Sequence, residues 1–106
     1  MRDFRVRVVV EKISGSCAAG YSPGDCFEVE LFYIKPRQNV RICLHALNAM
    51  LTILIPFLKG IPADRLGIGR EADVGYVQCP DPGSPYTCGG TVIFRLERKV
   101  IRNSSS

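Results

Sequence analysis

The sequence predicts one α+β domain in the order ββαββ, a four-stranded, mainly antiparallel sheet covered by one long amphipathic helix. Three observations lead there. Four stretches read as strands, the first two with the apolar–polar alternation of a half-buried strand. One central stretch is apolar with a helical period. A length of 106 residues, 46% hydrophobic and 23% charged, is one domain's worth of ordinary globular chain. The domain is expected over residues 1–102, with 103–106 a disordered tail.

In the first strand Phe4, Val6, Val8 and Val10 alternate with Arg5, Arg7, Val9 and Glu11, and Ser14-Gly15-Ser16 closes it. A glycine-rich loop over residues 17–25 follows. Phe27, Val29 and Leu31, alternating with Glu28 and Glu30, form the second strand, continued by residues 31–34 until Lys35-Pro36-Arg37-Gln38-Asn39 breaks the pattern. Residues 40–57 are the long helical candidate, ended near Pro56 and Lys59-Gly60. They are fewer than the roughly 20 that a membrane span needs. At about 100° per residue, Arg41, His45, Asn48, Thr52 and Lys59 share a polar stripe, with Cys43, Leu47, Met50 and Leu54 opposite. A second apolar flank, Ile55 and Ala49, is expected to meet a partner subunit, giving a homo-oligomer through the helix. A loop or short helical piece over 62–73 leads to a third strand over 74–79. Pro80-Asp81-Pro82-Gly83-Ser84-Pro85 is a turn, because each proline restricts the residue before it. Residues 91–98 are the fourth strand, with Val92, Phe94 and Leu96 inward.

The net charge is +4, its excess near the two ends at Arg2, Arg5, Arg7, Lys12, Arg95, Arg98, Lys99 and Arg102. Such a balance can attract polyanions, but the plainer reading is the solvated outer face of two neighbouring strands. With no tryptophan and only 8% aromatic residues, no stacking platform for RNA is present, and nucleic acid is not the expected partner.

Five cysteines in so short a chain is the strongest compositional signal. The start of the chain has neither a long apolar run nor a small-residue cleavage site, so the expected compartment is the cytosol, where stable disulfides are uncommon. An odd count leaves at least one thiol unpaired. Cys26 with Cys88, or Cys88 with Cys79 across the turn, are the pairs within reach if a disulfide forms. Cys17 follows one strand, Cys43 opens the helix and Cys79 ends another strand, so all three can meet at one end of the fold. A helix start favours a thiolate through its free N–H groups. Three converging thiolates can hold zinc, or a [4Fe–4S] cluster with one iron left open. The gaps of 25 and 35 residues match no short ligand motif. Independent core thiols remain the structural alternative, since free cysteine packs as a small hydrophobe. His45 is the only histidine, but on a helix it points roughly 200° away from Cys43, which places it on the surface or at an interface. Asp81 is expected to cap its own turn or to orient a ligand beside Cys79.

Several pieces occur together in order: Cys17-Ala18-Ala19-Gly20, Gly24-Asp25-Cys26-Phe27, Ile42-Cys43-Leu44, Cys79-Pro80-Asp81-Pro82 and Val92-Ile93-Phe94. The chain thereby resembles a family of short, uncharacterised three-cysteine proteins of anaerobic bacteria and archaea. The resemblance spans most of the chain and implies that Cys17, Cys43 and Cys79 are the family's positions, with Cys26 and Cys88 as extras. Tyr21 departs from the pattern where that family tends to carry histidine, which counts against a mixed Cys/His site more than against a three-thiolate one.

The leading expectation is a small cytosolic protein that holds an iron–sulfur cluster or zinc through Cys17, Cys43 and Cys79. Asp81, Tyr21 and His45 would surround them, and the open coordination position would admit a small-molecule substrate. The alternative is a metal-free oligomeric binding module with structural cysteines and a basic face for nucleic acid or another polyanion.

Overall fold

The computed structural model describes residues 2–35, 37 and 40–103. Its elements are β1 (Arg2–Gly15), β2 (Cys26–Glu30), β3 (Tyr33–Lys35), α1 (Leu44–Leu58), α2 (Ala63–Leu66), β4 (Val74–Gln78) and β5 (Gly90–Asn103). The five strands form one antiparallel sheet in the order β3-β2-β1-β5-β4. This corrects the four-stranded ββαββ expectation: among the described residues there are five strands, and the helix covering them is 15 residues long. The extra strand comes from a tight reversal at Leu31 and Phe32, after which Tyr33 pairs back with Glu30. Leu31 takes a positive φ of 55°, a conformation costly for a β-carbon-bearing residue. No glycine, asparagine or aspartate marks that turn, so the second strand reads from the sequence as continuing through it.

The central ribbon is β1 against β5, 14 residues each, paired from Arg2 opposite Asn103 to Gly15 opposite Gly90. The register slips between Asp3 and Phe4 and between Val10 and Lys12, where bulges sharpen the twist. At about 3.4 Å per residue, such a ribbon accounts for most of the molecule's 52 Å length. Asn103 belongs to this strand, so the sheet takes in the first residue of the expected tail; residues 104–106 lie outside the described part, as do Pro36, Gln38 and Asn39.

Alternation sorts the strands into two faces. Val6, Val8 and Val10 of β1, Phe27 and Val29 of β2, and Val92, Phe94 and Leu96 of β5 are buried on one face, under α1. Helix α1 answers with Ala46, Met50, Leu54 and Phe57, spaced by four, four and three residues. Cys43 and Leu47, expected on that stripe, are only half-buried, because the helix begins one residue after Cys43. Pro56 lies in the last turn, where its missing N–H costs a single intrahelical bond, so the helix runs on to Leu58.

The opposite face is a charge lattice. Arg7 stands across from both Glu28 and Glu97, and Arg5 across from Glu30 and Lys99. Arg5 Nε donates to Glu30 at 2.8 Å, and Arg95 pairs with both Glu97 and Glu11. Acids therefore interleave the cations, and no uniform basic strip forms there.

Arg98 departs from the expected surface cluster. It follows Val92, Phe94 and Leu96 onto the inner face and is buried. Its guanidinium lies between the Phe4 and Phe57 rings, 4.3 and 4.6 Å from their centroids. It donates to the carbonyls of Phe57 at 2.8 Å and Ile61 at 3.0 Å, and to Asp73 at 3.0 Å. A helix end leaves its last carbonyls without partners, and α1 has no basic residue in its own last turn. Arg98 adds a charged donor from the sheet to the Phe57 carbonyl, beside the Gly60 N–H at 3.2 Å.

Candidate functional site

Three connections meet beyond the Gly15–Gly90 end of the ribbon. The first is the loop over residues 16–25. Gly20 N–H bonds to the Cys17 carbonyl at 3.0 Å, and the Asp25 carboxylate accepts the Ser22 N–H at 2.8 Å. Val10 then pairs with Asp25 and Gly24 through its own N–H and C=O, which ties the loop back to β1. Tyr21 points inward from it, buried edge-on against Phe94 with 5.8 Å between ring centroids.

The second connection is the start of α1. Cys43 is its N-cap, extended at φ −71° and ψ 127°, with no side-chain cap hydrogen bond and no acidic residue in the first turn. The cap comes from elsewhere in the chain: Cys43 N–H donates to the Tyr21 hydroxyl oxygen at 2.8 Å. One long-range bond thus fixes both the first loop and the helix.

The third is the turn after β4. Cys79 is buried; its N–H donates to the Val92 carbonyl at 2.9 Å, and its Sγ receives the Val92 N–H at 3.2 Å. Asp81 Oδ1 accepts the Gly83 N–H at 2.8 Å and the Thr87 hydroxyl, while the Asp81 carbonyl accepts Thr91 Oγ1 at 2.7 Å. The Thr87 hydroxyl and the Gly83 amide hold the Asp81 carboxyl below its ordinary range. Its charge is thus engaged within its own turn.

Between these connections lies a cavity of about 390 Å³. Cys17, Cys43 and Cys79 all line it, with Tyr21, His45 and Asp81, and Ala19, Ala46, Val92 and Phe94 supply its apolar wall. His45 was expected on the far side of the helix from Cys43. It borders the same cavity because Cys43 precedes the helix, so the helical angle between them does not apply. Thr87 is a lining residue that no motif announces; its partnership with Asp81 exists only in the folded turn.

Burial pushes the Tyr21 hydroxyl pKa up; the Cys43 N–H works against this, and the charge that Cys43 and Cys17 would carry as thiolates adds to the rise. Tyr21 therefore keeps its proton at neutral pH. Among the described residues no group of three or more Cys, His, Asp or Glu side chains is arranged to hold one metal ion.

The other two cysteines lie elsewhere. Cys26 is buried on the outer face of the sheet, its sulfur 3.7 Å from an Arg7 guanidinium nitrogen, and Cys88 is exposed. All five are free thiols, so none of the disulfide pairings within reach is formed. A second, apolar groove of about 400 Å³ runs between the β2–β3 hairpin and α1, lined by Leu31, Phe32, Leu51 and Ile55 among others. No helix is long and apolar enough to cross a membrane among the described residues.

Compared with protein-family models, curated proteins and solved structures, the chain matches none.

Proposed function

We propose that the cavity is a metal–thiolate site in which Cys17, Cys43 and Cys79 hold an iron–sulfur cluster or zinc in the reducing cytosol. Three thiolates leave one coordination position without a protein ligand, and that position would admit a small-molecule substrate. The observation that carries this reading is that three cysteines far apart in the sequence line a single cavity. By chemical type, thiolates suit both zinc and iron–sulfur clusters, and a helix start favours negative charge at Cys43.

The test is to produce the protein without oxygen, measure iron, sulfide and zinc, and record the visible spectrum. Bound metal that is lost in the triple Cys17→Ala, Cys43→Ala, Cys79→Ala variant and kept in the Cys26→Ala, Cys88→Ala variant supports the reading. A wild-type protein that stays metal-free after reconstitution with iron and sulfide, and after zinc addition, overturns it.

A homo-oligomer through the helix is the second proposal. It is favoured by the exposed Leu51 and Ile55 on α1 beside Phe32, which is 89% exposed. The polyanion-binding alternative draws less support, because acids interleave the cations of the outer face.

A further inference from the structure

Helix α1 carries a second line of apolar residues beside its buried stripe. Leu47, Leu51 and Ile55 follow one another at intervals of four, and the next position on that line is Lys59. Leu51 and Ile55 are exposed although both are large and apolar. Opposite them stand Leu31, Phe32 and Ile34 of the β2–β3 hairpin, and the groove of about 400 Å³ lies between. Among the described residues every side chain lining it is aliphatic or aromatic except Lys59. From Leu47 to Lys59 the helix rises about 18 Å, which gives the apolar wall its length.

The hairpin turn is strained in making the other wall. Leu31 holds φ at 55°, where glycine sits freely and a β-carbon is crowded. What leucine adds there is a side chain against the groove, and the same turn leaves the Phe32 ring exposed beside it.

Charge is confined to one end. Lys59 Nζ stands 4.5 Å from the centroid of the Phe32 ring and has no carboxylate partner among the described residues. There the groove meets an adjoining cleft that shares Leu31, Phe32, Leu58 and Lys59 with it and adds Arg2, Asp3 and Arg102. Asp3 is already held by Arg102, whose Nε donates to it at 2.7 Å. Arg2, like Lys59, has no carboxylate partner among the described residues.

We propose that this groove binds a free amphiphile with a single hydrocarbon chain and a carboxylate head. The chain lies between α1 and the hairpin, where it covers Leu51, Ile55 and Phe32. The carboxylate meets Lys59, with Arg2 beyond it, at the open end where it keeps much of its hydration. The groove is lined by none of the cysteines, so this proposal stands apart from the metal–thiolate reading. A second copy of the chain on this flank would cover the same side chains. Carboxylate and copy therefore exclude each other, and bound carboxylate favours the monomer.

The test is calorimetric titration of the whole chain at neutral pH with monomeric decanoate, octanoate and decan-1-ol, alongside methyl NMR. The expected result is one decanoate per chain, with shifts at the methyl groups of Leu31, Leu51 and Ile55. Octanoate should bind roughly 10-fold more weakly, because two buried methylenes are lost. Lys59→Ala should weaken decanoate by roughly 5-fold and leave decan-1-ol unchanged. Ile55→Glu alters an exposed side chain and should abolish binding of both. Absence of decanoate binding to wild type overturns the proposal. So do methyl shifts confined to the thiol cavity, or equal effects of Lys59→Ala on acid and alcohol. A wild-type oligomer that decanoate neither binds nor dissociates assigns the groove to a second copy and overturns it as well. Binding to phosphatidylglycerol vesicles without binding of monomeric decanoate does the same. The comparison of octanoate with decanoate needs no variant, and equal affinities would remove the hydrocarbon groove by themselves.

Discussion

Arg98 and Phe57 meet twice: the guanidinium donates to the Phe57 carbonyl at 2.8 Å and lies 4.6 Å from the centroid of the Phe57 ring. One side chain of the sheet thereby satisfies the helix end and packs on the helix's most buried residue. Arg98→Met removes the donors to Phe57 and Ile61 together, leaving the Phe57 carbonyl only the Gly60 N–H at 3.2 Å. We expect a loss of about 3–5 kcal/mol in urea unfolding. Asp73→Asn should cost about 1 kcal/mol or less, because the Asp73 side chain is 60% exposed. Equal losses in the two variants would contradict this.

Gly89 has no room for a side chain: a Cβ there would run into Asp81 Oδ2. Gly89→Ala is expected to displace the Asp81 carboxylate and lower stability by about 1–3 kcal/mol. The sharper readout is amide exchange at Gly83, whose N–H bonds to Asp81 Oδ1. That amide should exchange faster in the variant, while amides within β2 are unaffected.

Acid should weaken the fold through Glu30 and Asp81. The hydrogen bond from Arg5 leads in holding the Glu30 carboxyl low, burial opposing it and Tyr33 assisting; the Thr87 hydroxyl and the Gly83 amide do so for Asp81. Both groups have folded pKa values below the unfolded ones. Their contribution is therefore complete above the unfolded values and is lost as pH falls through the folded ones. Melting temperature should be flat from about pH 7 to about pH 5 and fall below about pH 4. The Glu30→Gln, Asp81→Asn double variant should melt lower than wild type at neutral pH and converge on it in acid. A constant difference across the range would exclude these two carboxylates as the source.

Ile55 and Leu51 are exposed on α1, outside its buried stripe. Ile55→Glu should leave the far-UV circular dichroism and the thiol cavity unchanged. If the chain self-associates through this flank, light scattering should show the variant as a monomer where wild type is larger. A wild type already monomeric at millimolar concentration removes the homo-oligomer proposal.

Strand alternation made the inner face of β5 legible, and Val92, Phe94 and Leu96 lie inward as their spacing implies. The same alternation carries Arg98 inward; judged by its charge, it reads as surface, and only the rings of Phe4 and Phe57 reveal what repays its burial. Strand β3 was hidden because its turn uses Leu31 and Phe32, residues with no turn chemistry of their own. The start of α1 was hidden for a related reason: its cap is the Tyr21 hydroxyl, 22 residues away. Counting the helix from residue 40 carried the stripe too far forward and put His45 opposite Cys43. The cysteine trio was legible because its three positions border strand and helix ends. The cavity between them was not, since it depends on the loop bonds of Asp25 and Asp81.

Gly15 and Gly90 face each other at the end of the ribbon, so close that a Cβ on Gly90 would stand 2.6 Å from the Ser14 carbonyl oxygen and 2.7 Å from the Ser16 nitrogen. Cys17 departs from one of these backbones two residues later, and the Val92 amide that meets Cys79 lies two residues along the other. The separation between the first and third thiol loops is thus anchored to the spacing of two adjacent strands, about 4.8 Å. Side-chain substitutions elsewhere can reshape the cavity wall, but this gauge is cut into the backbone.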